Sequence, residues 1–392
     1  MHTQSLTPQD ATGLISLIGL ITLFIGLLFL TRRMQRKRLE QTQDSPSPAS
    51  KPFPQTASYT QQIPSFTQTK LLERQAELRQ AFEQWQTDFL MRGLEGNTEF
   101  VRGESLKRGL RYQVSSTSLA QGLAMFIQVQ MAQDGDLSRT RFERMLAHLL
   151  AHPAQDHPAL SSWLSMPDLP TSPRLEPDLH AEAWILFGLM LARQQWGSLP
   201  RFNLEQIIQE RSQALLEAFK SHAESQGGVS SPLLMRIIAK QMPDSVWQTQ
   251  AEADWQTVKP LLREEKGLPG RLEALSLLQI GLDGLFFPEN GVAERSDLSF
   301  ARLKRALSSQ ESLEGELEEG FSRLASLSCC MPMALLYKSG EHADQLWASL
   351  SQAQPAKQDA VGACLRIIAM MSMAGSLWLE AGEAVPPVTT AE

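Results

Sequence analysis

The sequence predicts an all-α domain held behind one membrane-spanning helix. Three observations lead there. From Lys70 onward, apolar residues recur at helical spacing in block after block. Few stretches alternate with period two, so strands are scarce. Near the N-terminus, Gly13 to Leu30 is an uncharged apolar run, long enough as a helix to cross a bilayer core of about 30 Å, for which roughly 17–25 residues suffice.

Residues 1–12 form a short tail and 13–30 the predicted transmembrane helix. A cleaved signal peptide carries cations before its apolar core and small residues after it. Here no Lys or Arg precedes the run, and Thr31-Arg32-Arg33-Met34-Gln35-Arg36-Lys37-Arg38 follows it. By the positive-inside rule the chain after Leu30 lies in the cytoplasm, tethered to the membrane, with the periplasmic side as the alternative. The basic cluster also suits anionic headgroups, although topology alone accounts for it. Gly19 and Gly26 offer small surfaces for close helix approach. Residues 31–67 comprise this basic flank and a linker rich in Gln, Ser, Thr and Pro, with Ser45-Pro46-Ser47-Pro48 at its centre. Such a segment cannot bury enough surface to offset its ordering entropy, and it reads as a flexible tether.

Residues 68–392 form the folded domain. Leu71, Leu78, Phe82, Trp85 and Phe89 share one helix face. Further periodic blocks run near 118–131, 139–150, 180–195, 203–220, 231–241, 268–282, 298–309, 320–337 and 357–378, about a dozen helices in all. Pro153, Pro158, Pro170, Pro173, Gly227-Gly228, Pro232, Gly267, Gly270, Pro288 and Gly291 punctuate them. No repeat stands out. A toroid, a bundle or an irregular solenoid would each accommodate these helices.

Composition excludes some classes. Lys and Arg number 36 against 43 acidic residues, a net charge of −7, so no bulk attraction to nucleic acid is expected. The folded region has no basic patch interleaved with aromatics. The 3 cysteines, Cys329, Cys330 and Cys364, form no disulfide framework. His148 and His152, four apart on one helix face, with His157 and Asp156 nearby, lack a His-Glu-x-x-His pattern or a cysteine partner. No metal or cofactor is expected.

Two stretches carry a resemblance. The first is Ser118-Leu119-Ala120-Gln121-Gly122-Leu123-Ala124-Met125, and the second runs from Asp178 through His180, Glu182 and Trp184 to Trp196-Gly197. Together they resemble the signature helices of glycoside hydrolase family 8, the bacterial endoglucanases that include the enzyme of cellulose-synthesis operons. The family's first motif reads roughly Ser-Glu-Gly-Gln-x-Tyr-Gly-Met, its Glu being the general acid. Aligned on Gln121 and Met125, Leu119 stands at that Glu. The second motif is roughly Ala-Thr-Asp-Ala-Asp-Leu-Trp-Ile, ending in Trp-Gly, and puts His180 and Glu182 at its two Asp positions. Trp85 and Phe89 match an upstream Trp-x-x-Phe helix, with Val101 in a turn beyond it. The third motif, Tyr-Asp-Ala-x-Arg, aligns with Leu298-Ser299-Phe300-Ala301-Arg302 and places Ser299 at the general base. Ser231-Pro232-Leu233-Leu234 is faintly similar to a Pro-Ser-Tyr segment of the family.

The resemblance implies a toroid of six helical hairpins, (α/α)6, in which catalysis is impaired. Inverting hydrolysis needs one protonated carboxyl and one carboxylate roughly 6.5–9.5 Å apart. Leucine donates no proton, and serine is no lone general base. A shifted pair would draw on Glu182 and Asp297, with Asp178 and Asp283 as further carboxylates. Gln121, Trp184 and Trp163 are candidates for substrate contact. Buried packing is the default for both tryptophans. The expected function is a membrane-anchored accessory or scaffold of cellulose-like exopolysaccharide synthesis. Its partners would be the inner membrane and a polysaccharide synthase complex or β-glucan. Polymer accumulates outside the membrane, so a cytoplasmic domain would dock on the inner face of a synthase. Two alternatives stay open: an active endo-β-glucanase on β-1,4-glucan, and a helical protein-interaction domain unrelated to sugars, which an open solenoid would favour.

Overall fold

The computed structural model describes residues 70–377 apart from 95, 109–110, 133–136, 168–173, 223–231, most of 242–267, 287–292, 309–315 and 319–320, and upstream Ile63, Thr67 and Gln68. The chain divides into two units, residues 1–47 and 48–392, and every described residue belongs to the second. The apolar run 13–30 and the basic flank lie outside the described residues. No helix among the described residues is long and apolar enough to cross a membrane.

The helices in chain order are α1 (Leu71–Phe89), α2 (Ser118–Gln130), α3 (Leu137–Ala151), α4 (Leu179–Trp196), α5 (Leu204–His222), α6 (Pro232–Gln241), α7 (Arg271–Phe286), α8 (Ala293–Ser308), α9 (Arg323–Cys329), α10 (Met331–Leu336), α11 (Gly340–Gln352) and α12 (Ala360–Met373). Every residue of α2 and α12, and nearly every one of α4, is buried. Helices apolar on all sides are surrounded by protein, and these form an inner layer. In contrast, α1 and α11 bury one stripe and expose the rest, as outer helices do.

The inner helices α2, α4, α6, α7, the broken pair α9–α10 and α12 touch in that order, and α12 returns to α2. The ring is closed, so the open-solenoid alternative fails. α1 packs on α12, joining the first described helix to the last. Neighbouring inner helices run parallel: Gly122 of α2 lies against Ala181 and Ile185 of α4, and Gly188 of α4 against Met125 and Phe126 of α2. The missing side chains let two helix backbones approach closely. Outer helices run back. Arg302, late in α8, pairs with Glu273, early in α7. Asp344, early in α11, receives the Gln68 backbone N–H at the entrance to α1. The ring therefore has two distinct ends, an N-terminal rim where inner helices start and a C-terminal rim where outer helices start.

Four short two-stranded antiparallel ribbons accompany the helices among the described residues: β1 (Leu90–Arg92) with β2 (Glu99–Val101), β3 (Ser105–Arg108) with β4 (Arg111–Val114), β5 (Ser116–Thr117) with β6 (Leu164–Ser165), and β7 (Glu316–Glu318) with β8 (Phe321–Ser322). Strands this short offer too few residues for a period-two pattern to register. The domain boundary also moves upstream of residue 68. Ile63 is buried in the core, Thr67 Oγ1 donates to the Ile63 carbonyl at 2.9 Å, and Arg74 Nη1 donates to Thr67 Oγ1 at 3.2 Å. One large aliphatic side chain in a polar stretch is enough to dock the end of the linker.

Candidate functional site

Two helix starts build the N-terminal rim. At α2, Thr117 is the N-cap and accepts the Ala120 N–H at 3.3 Å. The β5–β6 ribbon pairs Ser116 with Ser165 and Thr117 with Leu164. The Ser118 N–H donates to the Trp163 carbonyl at 2.9 Å, and the Trp163 N–H to the Glu176 carbonyl at 3.0 Å. At α4, Asp178 is the N-cap, its Oδ1 accepting from the His180 and Ala181 N–H groups at 3.0 and 3.1 Å. A carboxylate here satisfies orphan donors of the first turn and complements the helix dipole. Asp178 Oδ2 also meets Arg271 Nη2 of α7 at 2.8 Å, tying two inner helix starts together.

Leu119, which the resemblance aligns with the general acid, is buried behind this rim. Glu182 is sealed from solvent. Its Oε1 accepts the Ser161 N–H at 2.8 Å, and its Oε2 pairs with Arg211 of α5. Arg211 Nη1 reaches Ser161 Oγ at 3.2 Å as well. Complete burial pushes the Glu182 carboxyl upward, against the pull of the Arg211 guanidinium and the Ser161 N–H. This triad clamps α4, α5 and the loop at Ser161. It has no open side for substrate.

The other sequence candidates separate. His180 Nε2 accepts from Trp184 Nε1 at 3.3 Å, which assigns the His180 proton to Nδ1. Trp184 is wholly buried, edge-on to Phe126 at 5.3 Å between ring centroids, and has no face left for a sugar. Gln121 is buried and spends its amide on backbone: Oε1 accepts the Val101 N–H at 2.9 Å and Nε2 donates to the Glu99 carbonyl at 3.1 Å. It fastens β2 to α2. Ser299 is buried on the outer helix α8, where Arg302 pairs with Glu273. Asp297, on the exposed face of α8, accepts the Tyr337 hydroxyl at 2.8 Å at the C-terminal rim. Asp283, late in α7, pairs with Arg236 at 3.1 Å. Glu182 and Asp297 are therefore at opposite ends of the ring, and the fallback pair is not brought together.

Trp163 departs from its default. It is 45% exposed, and Leu272, in the first turn of α7, is 39% exposed. These apolar surfaces and the Asp178–Arg271 pair, with a side-chain exposure of 23% and 42%, give the rim an aromatic face beside charged hydrogen-bonding groups. An aromatic face can stack on an apolar ring face, and charged groups beside it can take hydroxyls. Arg271 escaped the sequence reading, and Asp178 entered it only as a further carboxylate, although its place just before an apolar helix carries an N-cap signature.

Behind β5–β6 lies a small polar cavity of ≈ 10 Å³, lined by Ser116, Ser118, His148, His152, Ser161 and Ser165 among others, with room for about one water. Ser165 Oγ donates to the Ser116 carbonyl at 3.2 Å. It therefore accepts from His148 Nε2, 2.9 Å away. Burial and the neighbouring His152 lower the His148 pKa to about 3. The Ser116 and Ser118 hydroxyls find no protein partner. Among the described residues no group of three His, Cys, Asp or Glu could hold a metal ion.

The closed ring matches solved structures over most of its length. It superposes on a β-1,3-1,4-glucanase from Paenibacillus sp. X4 with a TM-score of 0.65, at 14% identity, covering 85% of this chain and 100% of that one. It superposes on a cold-adapted family 8 xylanase with a TM-score of 0.60, at 12% identity, covering 84% and 96%. A GH8 protein from Teredinibacter turnerae, solved with xylobiose, gives 0.59 at 16% identity, covering 82% and 97%. The fold is that of glycoside hydrolase family 8. In sequence, an endoglucanase from Bacillus sp. (strain KSM-330) is 24% identical over 156 residues, 39% of this chain. The match spans only 33% of that relative's length. No family model matches the chain. The family-8 fold explains why the two signature helices are adjacent inner helices whose starts share one rim.

Proposed function

We propose that this chain is a membrane-anchored, family-8-like domain that binds a β-linked glycan at its N-terminal rim without cutting it, as an accessory of cellulose-like exopolysaccharide synthesis. One observation carries the reading. The rim keeps an exposed aromatic and an ion pair, while Leu119 is apolar and Glu182 is locked in a buried clamp. Binding survives such losses, and two-carboxylate hydrolysis does not. The named activities of the structural neighbours, on glucans and xylans, favour a β-linked backbone as ligand. The positive-inside arrangement of residues 31–38 favours instead a cytoplasmic domain docked at the inner face of a synthase, away from finished polymer, so glycan binding requires the periplasmic side and the topology test decides between the two.

The test is calorimetric titration of the full chain with β-1,4- and mixed-linkage gluco-oligosaccharides, run beside a reducing-sugar assay. Saturable binding that Trp163→Ala weakens by about 2–12-fold, with no sugar released, is expected. Turnover above a protein-free blank would overturn the non-hydrolysing reading. Absence of any binding would remove the glycan. Reporter fusions after residue 392, one active in the periplasm and one fluorescent in the cytoplasm, test the topology.

A further inference from the structure

The small polar cavity behind β5–β6 joins the start of α2, the end of α3 and the loop 161–165 that carries Trp163. Its polar groups fall into two sets. One set is spent within the protein. Ser165 Oγ is committed to the Ser116 carbonyl and to His148. Ser162 Oγ accepts the Leu175 N–H at 2.8 Å, and His152 Nδ1 meets the His148 carbonyl at 2.8 Å. The other set is open. Ser116 is 2% exposed and Ser118 3%, and neither hydroxyl has a partner in the protein. Ser161 Oγ accepts from Arg211 Nη1 at 3.2 Å, which leaves its own proton to donate. Buried hydroxyls without partners are costly, and one ligand that accepts from all three removes the cost.

The charge around the cavity favours an anion. No Asp or Glu is among the described residues that line it. It lies at the first turn of α2, a helix of 13 residues, whose dipole and first N–H groups present partial positive charge. Arg211 stands behind Ser161, its charge met by Glu182. A cation here would face the positive end of α2 and two imidazoles with no carboxylate opposite. Space for about one water is too little for sulfate, phosphate or a carboxylic acid, and leaves a monatomic ion. We propose that this cavity is a halide site, in which chloride accepts from the Ser116, Ser118 and Ser161 hydroxyls at the start of α2. The ion ties α2 to the 161–165 loop and so orders the segment that presents Trp163. Its charge is balanced by a helix end and neutral donors, so the site is weak and acts on stability by mass action.

The full chain is melted at constant sodium concentration while gluconate, too large for the cavity, is exchanged for chloride. A ligand at ten times its dissociation constant stabilises the folded state about eleven-fold, a rise of about 3 °C for a domain of this size. A saturating rise of that order is expected with chloride and with bromide. Ser116→Ala combined with Ser118→Ala keeps the Thr117 N-cap and should abolish the rise. Ser118→Asp puts a carboxylate where the ion sits and should also remove the response. Crystals of the full chain soaked in bromide should show an anomalous peak within hydrogen-bond reach of both hydroxyls. Equal melting in chloride and gluconate would overturn the proposal and leave the cavity to water. A rise that survives in the double alanine variant would overturn it by placing the ion elsewhere. A bromide peak without chloride-dependent stabilisation would mark an adventitious ion only, and that too would overturn it.

Discussion

Replacing Glu182 separates a structural carboxylate from a catalytic one. In the folded chain Glu182 Oε2 faces Arg211 and Oε1 holds the Ser161 N–H, all sealed from water. Glu182→Gln keeps the acceptor for Ser161 and removes the charge opposite Arg211. A buried guanidinium left unpaired costs about 3–5 kcal/mol. At roughly 2 °C per kcal/mol for a domain of this size, the melting temperature should fall by about 6–10 °C. Glu182→Leu alone should cost as much. Glu182→Leu combined with Arg211→Met should recover most of the loss, because an apolar pair of similar volume avoids the desolvation of two charges. The coupling from this double-mutant cycle, read by thermal and urea unfolding, should exceed 1 kcal/mol, as expected for groups in contact. If Glu182→Gln melts with the wild type while abolishing a measurable hydrolysis, the clamp argument is wrong and Glu182 is catalytic.

Four further outcomes follow from the same structure. His148 is held neutral with a pKa of about 3, against about 6.5 when unfolded. The folded state thus binds fewer protons between those values, and stability should be full above about pH 6.5 and fall as pH drops toward 3, by up to about 1.4 kcal/mol per unit. His148→Gln should flatten that part of a stability–pH profile. Trp163→Ala should leave the melting temperature unchanged and weaken oligosaccharide binding by about 2–12-fold, whereas Trp184→Ala should cost about 3–5 kcal/mol of stability. Gly281→Ala would set a Cβ at 2.8 Å from the Met333 backbone N and 2.9 Å from the Pro332 backbone C. That clash between α7 and α10 should cost at least about 1–3 kcal/mol in urea unfolding. Ile63→Ala should destabilise the domain by about 2–5 kcal/mol, and an unchanged urea midpoint would return the boundary to residue 68.

The rim candidates show how far residue types go. That Leu119 is apolar was legible in the letters themselves. Gln121 looked like a ligand contact, but the β2 backbone takes its whole amide, a partner some twenty residues away that no local pattern reveals. The two tryptophans look alike in sequence. Trp184 sits inside a helix that is apolar all round, and Trp163 on a loop, yet only packing leaves one covered and the other with an open face.

By itself the sequence determined the helical class, the order and approximate bounds of the helices and the two signature segments. These are properties of local spacing and residue chemistry, which a chain carries before it folds. The tertiary structure decided that the ring closes, that Ile63 belongs to the core, and that Glu182 is locked to Arg211 while Asp297 stands at the far end. Closure depends on α12 meeting α2, residues far apart in sequence. The fate of a carboxylate depends on which charge burial brings beside it. Both are set only when distant segments pack together.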